Sequence, residues 1–312
     1  MPKFGFVFPG QGSQKNGMLT ALAAQYPCIE EVFAEASEAI SIDLWKISTA
    51  DASGLLDQTH ITQPALLAAS VAIWRLWILQ GGRLPELLAG HSLGEYSALV
   101  CADVISLSEA IKVVYQRGKY MQDAVPAGTG GMAAILGLDD DKIIAICKEV
   151  QQGSVVSAAN FNSTGQTVIA GEKAAVERAM HACKEAGAKR ALPLNVSVPS
   201  HCALMLPAAQ KLGEDLARLT FKTPAVPIVQ NINGLVAKTP DEIRDNLLKQ
   251  LYMPVQWVDT ITCMWELGLG RIVECGPGKV LCGLIKRIEP EIECYSTDDP
   301  EAFAQAKAAL SI

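Results

Sequence analysis

Residues 87–99 read Leu-Leu-Ala-Gly-His-Ser-Leu-Gly-Glu-Tyr-Ser-Ala-Leu. An apolar approach runs into Gly90-His91-Ser92-Leu93-Gly94 and then into residues able to continue as a helix. This is a G-x-S-x-G turn between a strand and a helix. Its glycines allow a tight, strained turn that projects a serine Oγ to where a substrate carbonyl can reach it. Ser92 is therefore the candidate nucleophile, and the surrounding chain is expected to be an α/β layer.

The chain on both sides of the turn supports that class. Residues 4–8 form a short β-type apolar run, followed by the turn-rich loop Pro9-Gly10-Gln11-Gly12. Helical patterns cover 19–40. A helix is expected from Gln63-Pro64 to 79, closed by Gly81-Gly82, and its all-round apolarity predicts burial. Ser106-Leu107-Ser108-Glu109 fits a capping box that starts a helix to about residue 123. Its inner stripe, at helical spacing, is Ala110, Val114, Arg117 and Met121.

From about residue 128 the pattern becomes strand 132–136, helix 139–150, strands 155–160 and 166–170, helix 172–186 and strand 190–196. The order βαββαβ is that of a ferredoxin-like unit. Beyond it, helices at 203–219, 241–251, 255–267 and 279–288 alternate with strands at 226–229 and 271–275. The expected fold class is α/β. A large α/β-hydrolase-like domain with a mostly parallel sheet (1–127 and 198–312) carries a small inserted ferredoxin-like domain (128–197).

Composition narrows the function. Half of the 312 residues are hydrophobic, 19% are charged, and the net charge is −7. Those values suit a compact enzyme and argue against nucleic acid as partner. The apolar segment 65–79 falls short of the roughly 20 residues of a membrane span, and the N-terminal apolar run is too short for a secretory signal. Nine cysteines without a C-x-x-C pair suggest neither a disulfide framework nor a metal site, and point to a reducing cytoplasm.

A serine hydroxyl needs a base, and the chain has four histidines. His91 adjoins the nucleophile and should point elsewhere. His60 is read in a polar loop, and His181 on an exposed charged helix. His201 follows Pro199-Ser200 at the mouth of a helix, and is either the base or a capped loop residue. Acyl chemistry also needs oxyanion donors, one of them the backbone N–H after the nucleophile, on Leu93. The Gly10-Gln11-Gly12 loop is a second source, or else a phosphate-binding turn or a plain strand exit. Arg117 is a cation in an apolar stripe, either paired with a buried carboxylate or snorkelling outward. No acid stands out as a third triad member.

Taken together, Phe-Val-Phe-Pro-Gly-Gln-Gly-Ser-Gln (6–14), Thr-Gln-Pro-Ala (62–65), Gly-His-Ser-Leu-Gly-Glu-Tyr-Ser-Ala-Leu (90–99), Arg117-Gly118, Ser200-His201 and Gly-Pro-Gly-Lys (276–279) resemble the malonyl-CoA:acyl carrier protein transacylases. Val198-Pro199-Ser200 is similar to the stand-alone bacterial type rather than to polyketide-synthase modules. The resemblance implies that Ser92 is acylated, that His201 is its base and that the Gln11 and Leu93 amides form the oxyanion hole. It also implies that Arg117 holds the malonyl carboxylate and that the Gln250 main-chain carbonyl orients His201. The implied reaction is ping-pong transfer from malonyl-CoA to acyl carrier protein for fatty acid biosynthesis, with no bound cofactor or metal. An acidic carrier would need a basic docking patch, for which Lys184, Lys189 and Arg190, or Arg271, Lys279, Lys286 and Arg287, are candidates. A serine thioesterase or esterase and a non-catalytic carrier-docking domain are the competing readings.

Overall fold

The computed structural model describes residues 3–196 and 198–310. Its strands are β1 (Phe4–Phe8), β2 (Leu87–Gly90), β3 (Gly130–Leu136), β4 (Val156–Ser163), β5 (Gln166–Glu172), β6 (Arg190–Pro193), β7 (Ile228–Val229), β8 (Arg271–Glu274) and β9 (Glu293–Ser296). They form a parallel sheet in the order β7-β2-β1-β8-β9 and an antiparallel sheet in the order β4-β5-β3-β6. The chain is thus mixed α/β, with the antiparallel sheet inserted between β2 and β7 of the parallel one.

Every residue of β1 is buried, as expected of a parallel strand covered on both faces. Phe4, Phe6 and Phe8 point to one core, where Phe6 meets Trp74 and Trp77 edge-on at 5.4 and 5.1 Å. Val7 points to the other, among Trp257, Ile261, Met264 and Ile285. The two sheets meet where β4 pairs with the loop at Val255, through Phe161 N–H to the Val255 carbonyl and Val255 N–H to the Ala159 carbonyl, both at 2.9 Å.

Several elements differ from the expectations. The helix expected to open at Pro64 spans Thr59–Leu79, because the Gln58 carbonyl accepts the N–H groups of Ile61 and Thr62 at 2.7 and 2.8 Å and nucleates it ahead of the proline. At 21 residues it is long and apolar enough to cross a membrane by length and composition, yet 89% of its apolar window is buried in the protein. The helical pattern over 19–40 breaks at Pro27 into Thr20–Ala23 and Cys28–Ile40, since proline offers no N–H to carry the helix through. A helix at Leu44–Ala50, capped by Asp43, was not foreseen.

The chain also does not finish at the helix Val280–Ile288. It adds β9 and a helix Pro300–Leu310. β9 is four residues of mixed polarity, too short for its period to show. Its formation brings Cys294 onto Cys282, and the two form a disulfide, against the expectation that the cysteines stay apart. Seven cysteines remain free. Residues 1, 2, 197, 311 and 312, which fall within the expected domain ranges, lie outside the described residues.

Candidate active site

Three neighbouring parallel strands, β7, β2 and β1, release their loops at the same carboxyl edge, where ligands of open α/β sheets bind. β1 leads to Gln11, β2 to Ser92 and β7 to Asn231. The antiparallel sheet faces these loops with Met132 of β3, Asn160 and Asn162 of β4 and Val168 of β5. Between the two lies a cavity of about 160 Å³ that also contains Gln11, Ser92, Leu93, Arg117 and His201.

Ser92 has φ +52°, a left-handed conformation that costs a side-chain-bearing residue roughly 1–2 kcal/mol. Its flanks show why only glycine fits there. A Cβ on Gly90 would lie 1.9 Å from the Gly94 carbonyl carbon, and one on Gly94 would lie 2.0 Å from the Phe8 carbonyl oxygen. Asn231, wholly buried, braces the turn by accepting the Ser92 N–H at 2.7 Å and donating to the Gly90 carbonyl at 2.5 Å. The Leu93 N–H sits at the amino end of the helix Gly94–Cys101. Like the Gln11 N–H, it has no acceptor within the protein among the described residues. Free amides at a helix start favour developing negative charge.

His201 Nε2 lies 2.8 Å from Ser92 Oγ, and its Nδ1 lies 2.6 Å from the Gln250 carbonyl. That carbonyl ends the helix Pro240–Gln250, so it has no partner of its own along the helix. A carbonyl only accepts, so Nδ1 carries the proton and Nε2 keeps its lone pair for the serine. Burial, and then the charge of Arg117, push the His201 imidazole down to about 3, so it rests neutral. His201 also has positive φ, +61°, and its N–H bonds the Leu251 carbonyl at 3.0 Å.

Arg117 projects from the helix Leu107–Ala124, started by the expected capping box, and is 1% exposed. It neither snorkels nor pairs. It donates to Gln63 Oε1 at 2.7 Å and Gln250 Oε1 at 3.0 Å, and an Nη lies 3.5 Å from Ser92 Oγ. Its Nε has no partner, and among the described residues no carboxylate lies within 4 Å of it. Glu95 acts on it only at longer range. A buried fork of donors facing a nucleophile and lacking an anion is a carboxylate-binding arrangement.

The other histidines fall elsewhere. His91 turns its Nε2 toward Asn162 Oδ1 at 2.8 Å, linking the two sheets. His60 lies on the helix Thr59–Leu79 rather than in a loop, with Nδ1 2.6 Å from Gln122 Oε1. His181 is exposed on the helix Lys173–Glu185. Of the candidate docking cations, Arg271 is held by Glu293 and the Ala309 carbonyl. Lys279, Lys286 and Arg287 stay exposed, Arg287 reaching Gln166 Oε1 at 2.6 Å. Sequence reasoning missed Asn231, Glu95 and the side chains of Gln63 and Gln250. Only Gln63 and Glu95 carried a signal, by lying inside the quoted motifs.

An acyl transferase domain model matches residues 5–287. The malonyl CoA-acyl carrier protein transacylases of Salmonella typhimurium and Escherichia coli K12 are each 56% identical over 306 residues, covering 98% of this chain and 99% of the relative. That of Bacillus subtilis is 41% identical over 311 residues, 99% of this chain and 98% of the relative. Two solved structures superpose closely. An acyl carrier protein S-malonyltransferase from Vibrio cholerae has a TM-score of 0.96 at 55% identity, covering 98% and 100% of the two chains. A malonyl-transacylase in complex with a type II polyketide acyl-carrier protein has a TM-score of 0.97 at 54% identity, covering 98% and 99%. Matched along nearly its whole length at more than half identity, the chain belongs to the malonyl CoA-acyl carrier protein transacylase family.

Proposed function

We propose that Ser92 carries the malonyl group during its transfer from malonyl-CoA to acyl carrier protein. The observation that carries this assignment is the buried guanidinium of Arg117, which has no carboxylate within 4 Å among the described residues and lies 3.5 Å from a serine Oγ that is itself 2.8 Å from an imidazole Nε2. A hydrolase of neutral esters has no use for such a cation. An acyl group ending in a free carboxylate requires one.

Ser92 Oγ attacks the thioester carbonyl, and its proton passes to His201 Nε2. The carbonyl oxygen, now negative, is received by the Gln11 and Leu93 N–H groups. The C–S bond breaks, coenzyme A leaves as the thiol with the proton from His201, and malonyl-Ser92 remains. The phosphopantetheine thiol of the carrier then attacks that ester, giving its proton to His201, and Ser92 Oγ recovers it on release. The Gln250 carbonyl steadies the imidazolium as the aspartate of a triad would. These steps call for no bound cofactor, since coenzyme A is part of the substrate.

We read the parallel sheet and its helices as a hydrolase-like catalytic domain, 1–127 and 198–312, with a ferredoxin-like insert at 128–197. The antiparallel strand order and the two helices over that sheet support the second half of this reading. A cytoplasmic setting fits the substrates and the seven free cysteines.

The test is mass measurement of holo acyl carrier protein after incubation with malonyl-CoA and enzyme. The carrier should gain one malonyl group, and Ser92→Ala should abolish both that gain and the adduct on the enzyme. Malonate release with an unmodified carrier would make the protein a thioesterase instead. No adduct at all would make it a docking domain.

A further inference from the structure

Beneath the Ser92 turn lies a buried polar chain that the reaction steps above leave unused. Gln250 contributes its main-chain carbonyl to His201, but its side-chain amide points the other way. There, Oε1 accepts from Arg117 Nη2 at 3.0 Å, while Nε2 donates to the Ser92 carbonyl at 3.0 Å and to Glu95 Oε2. Glu95 is 1% exposed. Its Oε1 has no partner.

We propose that Glu95 is a positioning residue for malonyl recognition, which holds the Gln250 amide with its oxygen toward Arg117 and so seats the guanidinium for the substrate carboxylate.

The chemistry of the two ends supports this. A guanidinium is donor-only at every accessible pH, so a primary amide beside it must present oxygen. That orientation persists only if the NH₂ group finds acceptors at the far side. The Ser92 carbonyl supplies one and Glu95 Oε2 the other. Burial pushes the Glu95 carboxyl up to about 8. A proton taken up there goes to the unpartnered Oε1, leaving Oε2 an acceptor in both states. Without that acceptor the amide can turn, placing NH₂ against Nη2, donor against donor. Arg117 then loses one of its two amide supports, the other being Gln63. The His201 contact runs through the Gln250 backbone, so a turned side chain leaves the base in place. The predicted effect is therefore selective for acyl groups that end in a carboxylate.

This inference rests on the malonyl-transfer reading, and the experiment separates the two. Carrier loading from malonyl-CoA and from acetyl-CoA is measured for wild type, Glu95→Leu, Glu95→Gln, Gln250→Met and the Glu95→Leu/Gln250→Met pair. The readout is the malonyl-to-acetyl ratio of kcat/KM. Glu95→Leu should lower the ratio about ten-fold, the scale of one hydrogen bond to a charged group. Gln250→Met, which keeps the backbone carbonyl, should lower it similarly, and the pair should fall no further than either alone. Glu95→Gln keeps an acceptor oxygen at the same place and should restore the ratio toward wild type. A wild-type ratio in Gln250→Met, or a Glu95→Gln ratio as low as that of Glu95→Leu, overturns the proposal. The Gln250→Met test stands even if Glu95→Leu does not fold. A wild-type protein that malonylates no carrier would instead overturn the function.

Discussion

Arg117→Ala offers the sharpest separation between an anion-binding arginine and a structural one. The guanidinium is 1% exposed and has no carboxylate within ion-pairing distance among the described residues. On the proposed reading, the malonyl carboxylate would be its only close counter-charge during catalysis. Removing one partner of a buried charge pair costs about 3–5 kcal/mol. At 1.4 kcal/mol per ten-fold, that is a fall of roughly 10²-fold to a few thousand-fold in kcat/KM for malonyl-CoA. Acetyl-CoA presents a methyl group instead, which gains nothing from the cation, so its kcat/KM should change by less than about ten-fold.

The variant also leaves Gln63 and Gln250 without their shared donor, a loss of about 1–3 kcal/mol of stability. Thermal melts must accompany the kinetics. The assay is quenched-flow detection of acyl-Ser92 by intact mass, with each donor in turn. Parallel losses for malonyl and acetyl would mean that Arg117 shapes the site without reading the carboxylate, and would refute the argument from its unpaired charge.

Three further outcomes follow from the geometry. His201 rests neutral because burial and Arg117 push it down to about 3, so the rate of Ser92 acylation should show no acid limb near pH 6.5. Stopped-flow acylation between pH 5 and 8 measures this, and a midpoint at the ordinary imidazole value would contradict it. The same depressed imidazole contributes stability that is complete above the unfolded value. It is lost as pH falls from there toward 3, because the unfolded chain takes the proton first. Gly94→Ala places a Cβ 2.0 Å from the Phe8 carbonyl oxygen, backbone against backbone. It should cost about 2 kcal/mol or more in denaturant unfolding, and an unchanged midpoint would show that the turn can open.

Much of the site was legible because it is built from local signals. The G-x-S-x-G run located the serine, since a strained turn leaves its glycines in the sequence. The capping box placed the start of the arginine's helix, and helical spacing put Arg117 on its buried face. The strand and helix order over 128–196 was correct, because most of its elements are long enough to show their period, although the last strand, expected over 190–196, ends at Pro193.

Elements whose existence depends on partners were not legible. β9 is a strand because β8 offers it a parallel edge, and the Cys282–Cys294 pair exists because β9 does. The helix Thr59–Leu79 begins before its proline because of where the Gln58 carbonyl points. Asn231 carries no motif, yet it braces the nucleophile from 139 residues away.

The sequence by itself determined the chemistry-bearing residue types and the turn that exposes one of them, because those depend on backbone neighbours a few positions apart. It left open whether Arg117 met a protein carboxylate and whether His201 was a base or a cap. Only the tertiary structure decided the first, by burying the arginine between two glutamine amides with no acid within ion-pairing reach among the described residues. It also brought a free helix-end carbonyl and a serine to opposite nitrogens of one imidazole, the arrangement a base requires. A buried charge is defined by what surrounds it in space, and no spacing along a chain records that.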